Sequence, residues 1–233
     1  MSENLHGKTV IITGASSGIG QAISQSVSQH GAEVVALCRT APNIDGIRHI
    51  ATDLRDLESI RAAFDTIPSC DALINNAGMA YCSPIMEGGV DEWDEMWEVN
   101  VRALAYCSHL ALSRLTAQGQ VINLSSMSGH RVPPSGGFYA PTKFAVRAVT
   151  EALRWELKAA GSPIRVSSVS PGFVDTPLLD TYFQGREEQL ASTKATTQFL
   201  TSQDIAQQVL AILQTPSHVE VGDISLRSAS QSV

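Results

Sequence analysis

The chain has 233 residues and a mass of 24.9 kDa, enough to bury a large core without disulfide or metal staples. Its 16 Lys and Arg against 23 Asp and Glu leave a net charge of −7, and with a pI near 5.3 a nucleic-acid or anionic-membrane surface is disfavoured. Hydrophobic residues make up 43% and charged residues only 17%, which suits a fold with much interior, or an oligomer, and argues against disorder.

In chain order, the start MSENLHGKTV lacks the apolar stretch of a leader peptide. Short β-branched runs follow: TVIIT at 9–13, EVVAL at 33–37, ALIN at 72–75, QVINLS at 120–125 and IRVSSVS at 164–170. Helical spacing lies between and after them, over 18–30, 55–66, 91–117, 140–160 and 202–214. Near-continuous apolar strands alternating with helices predict a doubly wound α/β fold of the Rossmann type, a parallel sheet covered on both faces. The interval from Arg39 to Asp53 is short, so the second helix is expected to shrink to a turn. No linker or repeat divides the chain, so one domain is expected over 1–233, with a lid of one or two short helices at about 177–200. No run approaches 18 apolar residues, and Cys38, Cys70, Cys82 and Cys107 form no C-x-x-C pair. A cytoplasmic protein without membrane spans, disulfides or a metal site is therefore expected.

Three stretches carry chemistry. TGASSGIG at 13–20 follows the first strand and opens a helix. Its Gly14, Gly18 and Gly20 permit a tight turn and close approach of backbone to a pyrophosphate at the helix N-terminus. After the second strand the position expected for a ribose-binding acid is Cys38, followed by Arg39 and Thr40. A guanidinium without a carboxylate favours NADP over NAD, and Ser17 adds a hydroxyl. Farther on, Tyr139-x-x-x-Lys143 places a phenol and an ammonium on one helix face. Pro141 is tolerated only if that helix begins at about Tyr139. A neighbouring lysine charge is expected to lower the tyrosine pKa and improve proton transfer.

These stretches recur in order with the tetrad NNAG at Asn75–Gly78, Ser126 thirteen residues before Tyr139, and PGFVDT at 171–176. Together they resemble the short-chain dehydrogenase/reductase family, over residues 8 to about 176. The resemblance implies Tyr139 as proton donor or acceptor, Lys143 as its modulator and nicotinamide-ribose ligand, and Ser126 as the holder of the substrate oxygen, with Ser125 as its rival. It implies Asn100 as the asparagine whose main chain positions a water leading from Lys143. For the cofactor it implies the loop residues Gly14, Ser16, Ser17, Gly18, Ile19 and Gly20, with Arg39 and Thr40. Asp53 and Leu54 would contact adenine, Asn75, Ala77 and Gly78 the adenosine ribose, and Pro171, Gly172, Val174 and Thr176 the nicotinamide.

CRTAPNI, MSGHRV and the C-terminal SHVEVGDISLRSASQ look more like the subgroup related to animal 17β-/3-ketosteroid reductases and insect farnesol dehydrogenases. The substrate is then a small-molecule carbonyl or alcohol, met by Met79, Met127, His130, Val132, Phe138, Phe173, Leu178, Leu179, Tyr182 and Phe183. This apolar set predicts a hydrophobic substrate. Arg131 or Arg186 would instead suit the carboxylate of a hydroxy acid, and a silent dinucleotide sensor is a third reading. Trp93 and Trp97 read as a packed stripe or interface. A homodimer or homotetramer built on the helices at about 91–117 and 140–160 would be family-like.

Overall fold

The expected alternation is present in the computed structural model, which describes residues 5–134 and 136–231. The ends of the expected 1–233 domain therefore lie outside the described residues. Seven parallel strands form one sheet in the order β3-β2-β1-β4-β5-β6-β7. They are β1 (Thr9–Thr13), β2 (Glu33–Cys38), β3 (Arg48–Ala51), β4 (Cys70–Asn75), β5 (Leu115–Leu124), β6 (Arg165–Pro171) and β7 (Asp223–Leu226). Side chains alternate across a strand, so β1 feeds both faces of the sheet. Val10 and Ile12 join Ile23 and Val27 of α1 (Gly18–Gln29) and Ile205 and Val209 of α8 (Ser202–Leu213). Ile11 turns the other way, to Ile60 and Phe64 of α2 (Leu57–Asp65) and Cys107 of α4 (Leu104–Leu112). Coverage on both faces suits the apolar runs of β1 and β2, and it makes the fold a doubly wound one.

Two of the seven strands have no apolar run to announce them. RHIA of β3 and DISL of β7 lie at the two edges of the sheet, where only one neighbour is paired and polar residues are tolerated. Residues 39–47 carry no helix, as the short interval implied. The helix expected over 91–117 is corrected. It runs as α3 (Val90–Trp97), a π-helical stretch Glu98–Ala103 and α4, ending at Leu112, and 115–117 already belong to β5. The chain turns because Cys70 of β4 takes Leu115 as its register partner, and Arg114 donates to the carbonyls of Phe64 and Ile67.

The remaining long helix, α5 (Tyr139–Ala159), has Pro141 in its first turn, where no intrahelical N–H is lost. Beyond β6 come α6 (Pro177–Tyr182) and α7 (Glu187–Thr196). The second has no buried residue. Val174 and Leu200 bridge in parallel at the base of this excursion.

Candidate active site

In open parallel sheets, the crevice lies beyond the strand C-termini where the order reverses, here between β1 and β4. A cavity of about 790 Å³ opens there, walled by the chain leaving β1, β2, β3, β4, β5 and β6. At its floor, Gly14 has φ +67°, and a Cβ there would stand 2.8 Å from Ala77 Cα. A Cβ on Gly20 would overlap the Gly14 carbonyl and the Asn76 amide. Asn76 Nδ2 donates to the carbonyls of Thr13 (3.0 Å) and Gly14 (3.1 Å), while Thr13 Oγ1 accepts from the backbone of Asn76 and Ala77. The turns after β1 and β4 are thus stitched together. Ser17 is the N-cap of α1 but makes no side-chain cap bond. Its hydroxyl and the first-turn N–H groups remain for an anion, beside Ser16, Gly18 and Ile19 on the cavity wall.

Cys38, Arg39, Thr40, Asp53 and Leu54 line the same end. Arg39 and Thr40 are exposed, and Cys38 donates its thiol to the Thr40 carbonyl. Arg55, which the sequence reading did not single out, lines this end too. It pairs with Asp53 (3.3 Å) and Glu95 (3.2 Å). Its backbone N–H, and then its guanidinium, hold the Asp53 carboxyl below the usual carboxylate range. Only its place two residues after Asp53 hinted at this.

Asn75 departs from its expected place. Pleating turns its side chain away from the crevice and into the core, where Nδ2 donates to Ser108 Oγ and Asn123 Oδ1, both at 2.9 Å. The next residue, Asn76, takes the wall position with Ala77 and Gly78.

At the other end, α5 begins directly behind the carbonyl end of β5. Tyr139 and Lys143, one turn apart, both line the cavity, with the ammonium 5.7 Å from the phenol ring centre. Lys143 Nζ donates to the Leu124 carbonyl (3.1 Å). Ser126 is within hydrogen-bonding reach of the Tyr139 phenol, whereas Ser125 turns inward and donates to the Lys143 carbonyl (3.1 Å). Burial dominates both titrating groups. It pushes the Tyr139 phenol above its ordinary value and lowers the Lys143 ammonium to about 8. The expected lowering of the tyrosine by lysine is therefore not what prevails here; desolvation raises it, and the Ser126 hydrogen bond offsets that only in part.

Asn100 sits in the π-helical stretch, a local geometry frequent at functional sites. Its side chain is fully engaged: Oδ1 accepts from Met79 N (2.7 Å), and Nδ2 donates to Met79 O and Thr142 Oγ1. Gly78 lies between, since a Cβ there would be 3.4 Å from Asn100 Oδ1 and 3.7 Å from Lys143 Nζ.

Pro171, Gly172, Val174 and Thr176 wall the cavity opposite. Of the apolar substrate set, Met79, Met127, Val132, Phe173, Leu178, Leu179 and Tyr182 face the cavity. Three are corrected. Phe138 stacks on Trp93 at 5.3 Å, Phe183 is buried edge-on to Tyr182, and His130 bonds Ser170 Oγ at 2.9 Å behind the wall. Arg186 is likewise absent from the wall, held over the rings of Tyr182 and Phe183, whereas Arg131 is on it. Trp97 is exposed rather than packed in a stripe with Trp93. No group of three or more metal-ligating side chains occurs among the described residues.

A family model described as short chain dehydrogenase matches residues 8–187. The chain is 36% identical over 252 residues to the Bos taurus protein "Dehydrogenase/reductase SDR family member 11", covering 98% of this chain and 99% of that one. Among solved structures it is similar to the closed form of a serine dehydrogenase complexed with NADP+, with a TM-score of 0.89, 27% identity and coverage of 97% and 96% of the two chains. It is also similar to a 3-ketoacyl-(acyl-carrier-protein) reductase from Brucella melitensis complexed with NADH, with a TM-score of 0.81, 26% identity and coverage of 95% and 97%.

Proposed function

The chain belongs to the short-chain dehydrogenase family, and we propose that it is an NADP(H)-dependent oxidoreductase interconverting a hydrophobic carbonyl compound and its alcohol. The observation that carries this reading is the convergence of Tyr139, Ser126 and Lys143 at one end of a cavity whose other end offers Arg39 and no unpaired acid. The residues present fit a dinucleotide. Gly14 and Gly20 leave a cradle that a Cβ would fill, and the first turn of α1 faces it. When bound, the nicotinamide group supplies or accepts the hydride.

The rest is done by the chain. Ser126 hydrogen-bonds the substrate oxygen and the phenol together. Tyr139, kept neutral by its buried surroundings, donates its proton to that oxygen as the carbonyl becomes an alcohol. Lys143 would hold the nicotinamide ribose and stabilise the phenolate left behind. The Asn100 side chain fixes the Met79 backbone next to Gly78 and Lys143, and its main chain would position the water leading from Lys143. Arg39, with Thr40 and Ser17, would hold the adenosine 2′-phosphate. Asp53, Leu54, Ala77 and Gly78 would hold the adenosine, and Pro171, Gly172, Val174 and Thr176 the nicotinamide. The segment 177–200 acts as a lid, the protein works in the cytoplasm, and its cysteines, which form no disulfide among the described residues, suit a reducing compartment.

A second reading has one observation behind it: Arg131 stands on the apolar end of the wall and suits a substrate carboxylate, as a hydroxy acid carries. The similarity to a serine dehydrogenase points the same way.

The deciding experiment follows NADPH and NADH absorbance against ketosteroids, isoprenoid aldehydes, dicarbonyls and keto acids. NADPH oxidation with an apolar carbonyl is expected; a response to keto acids alone replaces the main reading with the second. Loss of all turnover with retained NADPH binding would make the protein a sensor. Arg39→Asp should shift the NADPH:NADH preference about 10- to 100-fold toward NADH, by removing a charge-assisted phosphate contact. An unchanged ratio removes Arg39 from the reading.

A further inference from the structure

The root of the lid is tied down from outside by residues that none of the site motifs contains. The excursion from β6 leaves and returns side by side: Leu200 N donates to Phe173 O and Asp175 N to Leu200 O, both at 2.9 Å. Phe173 and Phe199 stack with centres 5.1 Å apart. After β7 the chain makes a small turn at Ser228–Gln231, with Gln231 N bonded to Ser228 O and the Ser228 and Ser230 hydroxyls 2.9 Å apart. From that turn Gln231 Oε1 accepts the backbone N–H of Phe173 (3.0 Å), and Ser230 Oγ accepts the N–H of Gln198 (2.9 Å). One turn thus grips the outgoing and the returning strand of the lid root. Room for it comes from Gly172, where a Cβ would overlap Gln231 Oε1 and stand 2.9 Å from Arg227 Cβ.

The first half of the lid is anchored by Tyr182 and Phe183, buried with Ala80, and Leu190 of α7 packs against that cluster; the rest of α7 is held loosely. Helix α7 buries no residue, and its root contact is Lys194 with Asp175 (2.7 Å) and with the Phe199 ring. Segments with few buried apolar contacts open at low free-energy cost. Helix α6, by contrast, carries Leu178, Leu179 and Tyr182 to the cavity wall, with Tyr182 edge-on to Tyr139 at 5.8 Å. Gln231 itself reaches that wall.

We propose that the Ser228–Gln231 turn is a strap that sets the closed position of the lid, with Gln231 the positioning residue that fixes the Phe173 amide and, through it, the apolar wall that meets the substrate. The strap acts on substrate capture, and in that respect rests on the carbonyl-reductase reading; its effect on the lid does not.

Gln231→Met keeps the bulk and removes the acceptor, while Gln231→Glu keeps the acceptor. Hydrogen exchange of peptides over 177–199 is measured in both, with NADPH bound, alongside steady-state kinetics and melting temperature. In Gln231→Met the lid peptides are expected to exchange faster and KM for the carbonyl substrate to rise about tenfold, the worth of one backbone hydrogen bond, with a much smaller change in kcat. Gln231→Glu should restore both. Unchanged lid exchange in Gln231→Met overturns the proposal. So does faster exchange spread over the whole molecule with a lowered melting temperature, which would make Gln231 a general stability residue. If the wild type turns over no carbonyl, the carbonyl-reductase reading fails, while lid exchange still decides the strap.

Discussion

Tyr139 and Lys143 illustrate how one environment sets two groups for different tasks. Removal from water favours the neutral form of each, which raises the phenol and lowers the ammonium. In the proposed reaction, a phenol kept protonated is suited to giving a proton to a carbonyl oxygen. Tyr139→Phe removes only that proton, and kcat for reduction should fall about 10²- to 10⁴-fold while NADPH binding, followed by fluorescence, is little changed. A variant retaining most of its rate shows that another group donates. In the proposed mechanism Lys143 supplies the pH dependence. It is protonated below about 8 and neutral above it, and only the cation stabilises the developing phenolate. Reduction measured as kcat/KM is therefore expected to be level below that pH and to fall toward about tenfold per pH unit above it. The falling limb should disappear in Lys143→Met, leaving a low, flat profile. A limb that persists there belongs to a different group.

Between the elements, a row of buried polar groups joins the two central strands to the helices beside them. Ser108 of α4, Asn75 of β4, Asn123 of β5 and Thr150 of α5 are linked by hydrogen bonds of 2.9 Å, and all four are buried. The row crosses the sheet just beneath the strand ends that carry the cavity walls, so it fixes β4 against β5 where register matters to the site. Asn123→Ala leaves Asn75 Nδ2 and Thr150 Oγ1 each short of a partner in the core. Stability should drop by about 1–3 kcal/mol, read as a lowered denaturant midpoint with an unchanged m-value; a loss below about 0.5 kcal/mol would mean that the row relaxes freely.

The same row explains an error of reading. NNAG identified the correct turn, but a motif does not say which of two adjacent asparagines faces the crevice; the pleat decides that, and it selected Asn76. Phosphate-loop glycines, Pro141 and the i, i+4 pair were legible because each is a local steric demand. Strands β3 and β7, the break of the long helix at Leu112 and the contribution of Arg55 were not. They depend on pairing and on partners distant in sequence, Cys70 with Leu115 and Arg55 with Glu95.

At the scale of the whole molecule, α5 is apolar on two sides. Val146, Leu153 and Leu157 are buried on the side that packs onto the sheet. On the opposite side Phe144, Ala148, Ala152 and Trp155 recur every three or four residues and are exposed, Trp155 at 65% and Phe144 at 39%. Trp97, at the end of α3, adds a third exposed aromatic, at 44%. A helix needs only one apolar stripe to pack on its own sheet, so a second stripe of this length implies a second surface to cover. Small alanines between the aromatics let two such helices approach closely, and a two-fold axis would set each stripe on its own copy. We propose a homodimer or homotetramer through α5 on this face. Light scattering coupled to size exclusion should then give two or four times the 24.9 kDa chain mass. Replacing Trp155 by Glu places a charge in this stripe and should yield the single-chain mass with the circular dichroism of the wild type retained. A wild type that elutes as one chain at micromolar concentration refutes the assembly. A Trp155→Glu protein that keeps the wild-type mass moves the interface away from α5.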